Sequence, residues 1–112
     1  MFKLGQSEKF WWPVAVRLPA DGGKHVESKF DVQFKRLSQP EISDLIARGS
    51  RGEIKDRDVC REIVQGWRGV VEGDNDLPFT MENLDRVLDV AIVQASIVEA
   101  FFEAHRTGRT KN

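Results

Sequence analysis

Two runs of alternating side chains flank a short glycine-containing turn, and this arrangement restricts the first third of the chain to one local fold. Between Phe10 and Pro19, Trp12, Val14, Val16 and Leu18 alternate with Pro13, Ala15 and Arg17. Between His25 and Leu37, Phe30, Val32 and Phe34 alternate with Lys29, Asp31, Gln33 and Lys35. A period of two puts one set on a buried face and the other on a wet one, the pattern of a strand covered on a single side. The segment Pro19-Ala-Asp-Gly-Gly-Lys24 supplies the reversal, because Gly22 and Gly23 adopt positive φ without a Cβ clash. The two runs are therefore expected to pair as an antiparallel hairpin. Pro13 lacks an N–H and points to an edge position for the first strand. Trp11 falls on the face opposite Trp12, Val14 and Val16, where an exposed indole would serve as an anchor for a partner.

Helical signals dominate the chain beyond Leu37. Ser38-Gln-Pro-Glu41 is a capping box with Pro40 in the first turn. It opens a helix of under three turns with Ile42, Leu45 and Ile46 as its apolar stripe and Gly49 at its left-handed end. After the polar connector Ser50–Asp56, the spacing of Val59, Ile63, Val64 and Trp67 predicts a second helix from Asp56 to about Gln65. Gly69 to Phe79 reads as a turn and an extended clip. Thr80 then caps a third helix that reaches about His105 without Pro or Gly, long enough for a rod of ~38 Å. Between Val87 and Phe102 only Asp89, Gln94, Ser96 and Glu99 are polar. That arc is too wide for a helix lying on one small core, so this helix is either the centre of the domain or an interface, with Val90, Val93, Ile97 and Phe101 as candidate partner contacts. The expected architecture is α+β: an N-terminal antiparallel hairpin or small sheet, then three helices, the last long and largely buried. Residues 1–9 read as an extension, 10–105 as one domain, and 106–112 as a solvated tail.

Composition narrows the function. The chain has 112 residues, 40% hydrophobic and 31% charged, enough apolar material for one packed core. A lone cysteine, Cys60, permits no internal disulfide and suits a reducing compartment. No uncharged stretch approaches the ~20 residues needed to cross a bilayer, so no membrane partner is expected. Charge is segregated along the chain: +3 over residues 1–37, zero over 38–69, −7 over 70–105 and +3 over 106–112. The acidic segment repels phosphate and favours a basic polypeptide as partner.

Catalytic signals are weak. Cys60 lies in an apolar-periodic helix and reads as a small core residue, while His25 and His105 read as structural or solvated. The acidic run Glu72, Asp74, Asp76 is broken by Leu77-Pro78-Phe79 and does not match a calcium loop. Asp85 and Asp89 share helical spacing, which by itself carries almost no catalytic information. No glycine pattern matches a phosphate-binding loop, so no cofactor and no metal are expected. Arg48, Arg51, Lys55, Arg57 and Arg61 form a basic neighbourhood, but Glu53, Asp56, Asp58 and Glu62 are interleaved with it. A self-neutralising patch is the preferred reading over a phosphate track, and nucleic acid is not an expected partner.

The second half resembles a known family. Trp67-x-Gly69-Val70, an acidic turn, Leu77-Pro78-Phe79-Thr80-x-Glu82-Asn83-Leu84 and a long apolar helix with Phe101-Phe102 are similar to the tail assembly chaperones of long-tailed bacteriophages. Trp12-Pro13-Val14, Asp21-Gly22-Gly23 and the Phe30-to-Leu37 strand fit the N-terminal part, so the resemblance covers most of residues 10–103. Relatives often carry Asp-Gly in the turn before Leu-Pro-Phe. Here Asp74-Asn75-Asp76 stands in its place, and Asn75 tolerates a left-handed conformation. The resemblance implies a non-enzymatic protein of the host bacterial cytoplasm, absent from the virion. It would bind the tape measure protein and help tail tube protein polymerise around it, acting as a homo-oligomer, in a family that commonly makes a longer frameshifted form. It also implies a structural signature in which Trp67 and Gly69 pack near the clip, Pro78 and Phe79 close it, and Thr80 and Glu82 start the helix. A head–tail completion or minor tail protein is the alternative, and a small nucleic-acid-binding regulator a more distant one.

Overall fold

The computed structural model describes residues 1–106, so all but the first residue of the expected 106–112 tail lies outside the described residues. Strand β1 (Lys9–Ala20) and strand β2 (Lys24–Lys35) pair antiparallel along their whole length, from Lys9 opposite Lys35 to Ala20 opposite Lys24. A 3-10 turn at Asp21–Gly23 joins them. The Arg36 N–H donates to the Glu8 carbonyl at 2.8 Å, which sets the ladder so that even-numbered residues of β1 bond to β2. Odd-numbered residues therefore aim their backbone groups outward. Both strand prolines, Pro13 and Pro19, occupy odd positions, where a missing N–H costs no ladder bond. β1 is an edge strand, as expected, and its prolines blunt that edge.

A third strand completes the sheet in the order β1-β2-β3. Strand β3 (Val64–Arg68) pairs with β2 from Asp31 opposite Arg68 to Phe34 opposite Val64, with a bulge between Gln33 and Phe34. One face of this sheet buries Val14, Val16, Val32 and Phe34 beneath the helices, whereas Trp11, Pro13, Ala15 and Arg17 are exposed on the other.

Helix α1 (Gln39–Ser50) starts at the expected capping box. Ser38 Oγ accepts from the Glu41 N–H at 3.3 Å, and Glu41 Oε1 accepts from the Ser38 N–H at 2.8 Å. It runs longer than expected, because the Arg51 N–H still reaches the Ala47 carbonyl at 3.0 Å and carries the last turn past Gly49. The left-handed residue is Gly52, with φ 73°. Of the expected stripe, Leu45 is buried and Ile42 packs against the core, but Ile46 is 52% exposed.

Helix α2 (Asp56–Ile63) is shorter than the expected Asp56–Gln65 and passes directly into β3, which the sequence pattern did not reveal. Val64 and Trp67, counted as helical, belong to that strand. These two residues, three apart, fit a helical period and share the core face of a strand only through the bulge, which sets Val64 opposite Phe34 and Trp67 opposite Val32. Strands β4 (Val71–Glu72) and β5 (Asn75–Asp76) form a small hairpin whose positive φ, 63°, falls on Gly73 rather than on Asn75.

The expected third helix is two helices. Thr80 Oγ1 caps α3 (Met81–Leu88) by accepting from the Asn83 N–H at 2.9 Å, and α4 (Val93–His105) begins after a break at Asp89–Ile92. No proline or glycine marks the break; packing imposes it. Leu84 and Leu88 must meet the same core as Val93, Ile97, Ala100 and Phe101, yet on one continuous helix the five residues from Leu88 to Val93 would turn the two stripes ~140° apart. Interrupting the helix rotates both stripes inward. The wide apolar arc of the sequence is therefore the sum of two narrower stripes. Phe101 sits at the centre, edge-on to Phe34 at 5.3 Å and to Phe102 at 5.3 Å.

Candidate functional site

Two connections flank α3, and they differ in character. The connection entering it is the Leu77-Pro78-Phe79 clip. The Leu77 N–H donates to the Val70 carbonyl at 2.9 Å, closing a loop around the β4–β5 hairpin. Trp67 then fastens the clip twice: its Nε1–H donates to the Leu77 carbonyl at 2.7 Å, and its ring meets Phe79 edge-on at 5.0 Å. Asn83 Nδ2 donates to the Pro78 carbonyl at 2.9 Å, and Arg86 ion-pairs with Glu72 across to the hairpin. A Cβ at Gly69, which has φ 83°, would lie 3.6 Å from the Phe30 Cβ. The signature residues Trp67, Gly69, Pro78, Phe79 and Thr80 thus converge in one place. Glu82 is exposed in the first turn of α3.

The connection leaving α3, at Asp89–Ile92, is open to solvent. Val90 and Ile92 are each 46% exposed. Ile92 adopts φ 79°, ψ −22°, and is the one non-glycine with positive φ among the described residues. For a β-branched side chain that conformation costs ~1–3 kcal/mol and marks a position held by its surroundings. The surroundings are specific. The Val90 N–H donates to the Val87 carbonyl at 3.1 Å, Gln94 Nε2 donates to the Leu88 carbonyl at 3.1 Å, and Ser96 Oγ donates to the Ile92 carbonyl at 2.9 Å. A shallow hollow of about 380 Å³ opens beside this corner, lined by Asp56, Arg57, Leu88, Val90, Ile92 and Ala95 among others.

Arginines of α2 clamp α3 between the two connections. Arg61 Nη1 lies 2.6 Å from Asp85 Oδ2, Arg57 Nη1 lies 3.3 Å from Asp85 Oδ1, and Arg57 Nη2 pairs with Asp89. Hydrogen bonds from Arg61, then from Arg57, hold the Asp85 carboxyl below the usual aspartate range. The other arginines of the basic neighbourhood are paired as well, locally for Arg48 with Asp44 and Arg51 with Glu53, and across to α2 for Arg48 with Glu62. The shared spacing of Asp85 and Asp89 reflects this clamp.

The remaining chemistry-bearing groups are structural. Cys60 is buried, its Sγ–H donates to the Gln94 carbonyl at 3.8 Å, and burial pushes its thiol up to about 12, far from a nucleophile. The His105 ring bridges elements: Nε2 accepts from the Leu37 N–H at 3.4 Å, Nδ1 lies 3.1 Å from the Phe101 carbonyl, and Phe10 packs edge-on at 5.4 Å. His25 is exposed near the hairpin tip.

The five expected partner contacts do not share a surface. Val93, Ile97 and Phe101 are 5%, 1% and 0% exposed, so they are core and correct the interface reading of α4. Val90 is exposed at the corner. Trp11 is 39% exposed on the open face of the sheet, where the Arg68 guanidinium stacks 3.9 Å from its ring centre and approaches Asp31 at 3.6 Å. Sequence reasoning missed Ile92, whose exposure follows from a helix break that carries no Gly or Pro signal. Among the described residues no helix is long and apolar enough to cross a membrane. No protein-family model, curated protein or solved structure matches this chain.

Proposed function

We propose that this chain is a tail assembly chaperone of a long-tailed phage or prophage. In this reading it is not an enzyme and acts in the host bacterial cytoplasm. It holds the tape measure protein until tail tube protein encloses it, then stays out of the particle. The observation that carries the reading is the α3–α4 corner, where two large aliphatic side chains, Val90 and Ile92, are kept exposed at the cost of a strained backbone. A tape measure protein is long, helical and apolar before the tube covers it, and an apolar corner beside a shallow hollow suits a reversible contact with such a helix. The −7 charge of residues 70–105 adds attraction for basic segments. The resemblance of the Trp67 to Glu82 segment to the family supports the same reading.

The rival readings lack an equivalent observation. A nucleic-acid regulator needs Arg57 and Arg61 free for phosphate, whereas both are engaged by Asp85 and Asp89. The test is co-expression of the chain with the tape measure protein encoded near it. Rescued solubility and co-purification, both lost in Val90→Asp and Ile92→Asp, are the expected result. With both proteins well expressed, the absence of rescue and of a complex overturns the proposal, and recovery of the chain in purified particles points instead to a head–tail completion or minor tail protein.

A further inference from the structure

The face of the sheet turned away from the helices differs in charge from the rest of the chain. The strand register gathers five cations there, Lys9, Arg17, Lys29, Lys35 and Arg68, against two carboxylates, Glu27 and Asp31. The face is therefore +3 in a chain of net charge −1. Only Arg68 among these cations is paired, with Asp31; Lys9, Arg17, Lys29 and Lys35 form no ion pair among the described residues. Pro13, Ala15 and Gly66 keep the surface between them low. Trp11 stands on it, with the Arg68 guanidinium stacked 3.9 Å from its ring centre. A hollow of about 360 Å³ adjoins Arg68, lined by Pro13, Lys29, Phe30, Asp31 and Gly69 as well.

We propose that this face binds a single strand of nucleic acid without reading its sequence. Such a ligand needs cations for its phosphates and a planar surface for its bases, and one plane of the sheet supplies both. Bases stack on aromatic rings or on guanidinium planes, and Trp11 with Arg68 presents the two as one stack. From Lys9 to Arg17 the strand runs ~27 Å, long enough for a site of about four nucleotides, the short end of what sheet platforms track. A duplex keeps its bases stacked within itself and gives the indole no π-face to meet. An acidic peptide would satisfy the lysines but leave the Trp11–Arg68 stack without a planar partner. Beyond the β1 edge, Glu99 and Glu103 of α4 line a separate hollow. They repel phosphate, so the path is steered towards β2 and β3, where Lys35 and Arg68 lie. The α2 arginines, engaged by Asp85 and Asp89, take no part. This inference is independent of the chaperone reading and concerns a different surface from the α3–α4 corner.

The experiment is titration of the full chain against fluorescein-labelled oligo-dT and oligo-U of about eight nucleotides, read by anisotropy over a range of salt. Saturable binding is expected, with log K falling linearly against log salt at a slope of about −2, as three phosphate contacts at ~0.7 each require. Trp11→Ala should weaken binding at least about fivefold through the lost stacking and leave that slope unchanged. Lys35→Gln should weaken it too, but flatten the slope by ~0.7. Both side chains are exposed, so circular dichroism should show each variant folded. Tighter binding of oligo-U than of oligo-dT upholds the proposal and points to RNA through its 2′-hydroxyl. No saturable binding to either oligonucleotide at low salt overturns it, as does binding that Trp11→Ala leaves intact. A duplex or poly-glutamate bound as tightly as the single strands overturns it equally, by reducing the face to a charged patch.

Discussion

The clip that leads into α3 and the corner that leads out of it are connections of similar length on one helix, built to opposite ends. In the clip, the Leu77 and Pro78 carbonyls receive side-chain donors and Phe79 is covered by Trp67. In the corner, the backbone is tied down as thoroughly, but its apolar side chains, Val90 and Ile92, face water. Burial accounts for the first arrangement. In the second, burial of Leu84, Leu88, Val93 and Ile97 accounts for the break and its strained backbone, but not for aliphatic side chains at Val90 and Ile92, which the core does not cover. The difference separates a connection whose apolar side chains are covered within the domain from one that presents them at the surface.

That contrast can be broken most forcefully at Trp67. Trp67→Ala removes a large ring packed against the core and leaves the Leu77 carbonyl without its donor, so it should cost ~3–5 kcal/mol in chemical denaturation. Trp67→Phe keeps much of the contact with Phe79 and loses the Nε1–H, and a smaller loss of ~1–2 kcal/mol is expected. If Trp67→Ala left the midpoint unchanged, the clip would not be the fastening described.

The corner predicts the opposite sign. Ile92→Gly relieves a positive φ that isoleucine tolerates poorly, and the gain outweighs the larger entropy glycine brings to the unfolded chain. A net stabilisation of ~1 kcal/mol is expected, together with weaker capture of the tape measure protein. Destabilisation by Ile92→Gly would show instead that the Ile92 side chain is needed by the core. Val90→Asp sharpens the same point, because a carboxylate at a position already 46% exposed should shift stability by no more than ~0.5 kcal/mol while reducing capture. Ile97→Asp and Phe101→Asp, by contrast, place a charge in the core and should unfold the chain rather than remove a partner selectively.

The same contrast explains what was legible in the sequence. The β1–β2 hairpin, the Ser38–Glu41 box, the Thr80 cap and the α+β class rest on signals contained within a few residues, and these were readable. β3 was not, since Val64 and Trp67, three apart, fit the helical period and reach one face of a strand only through the bulge set by pairing with β2. The helix break at Asp89–Ile92 is likewise settled by long-range packing of Leu88 and Val93 onto one core. For that reason the apolar arc could be recognised as too wide, yet Val90 could not be told apart from Val93, Ile97 and Phe101. Ion pairs between α2 and α3 join residues 24 to 32 positions apart, a separation at which charge pattern alone names no partner.

The smallest expected effect concerns the clamp that holds α3 between its two connections. The carboxyl of Asp85 is held below its ordinary range by Arg61 and Arg57, so its folded value lies below its unfolded value of about 3.9. For a group shifted downward, the unfolded state binds the proton first as pH falls. The contribution of the clamp is therefore complete above the unfolded value, and it declines as pH drops through about 3.9 towards the folded value. Because Asp85 is 42% exposed, the contribution is modest and screened by salt. Denaturation midpoints measured from neutral pH down into the acid range should show wild type losing more stability than Asp85→Asn, with the gap between them closing at low pH and narrowing at high salt. Parallel profiles for the two chains would mean that α3 is oriented by Leu84 and Leu88 in the core, with the arginines contributing nothing measurable to how the corner is presented.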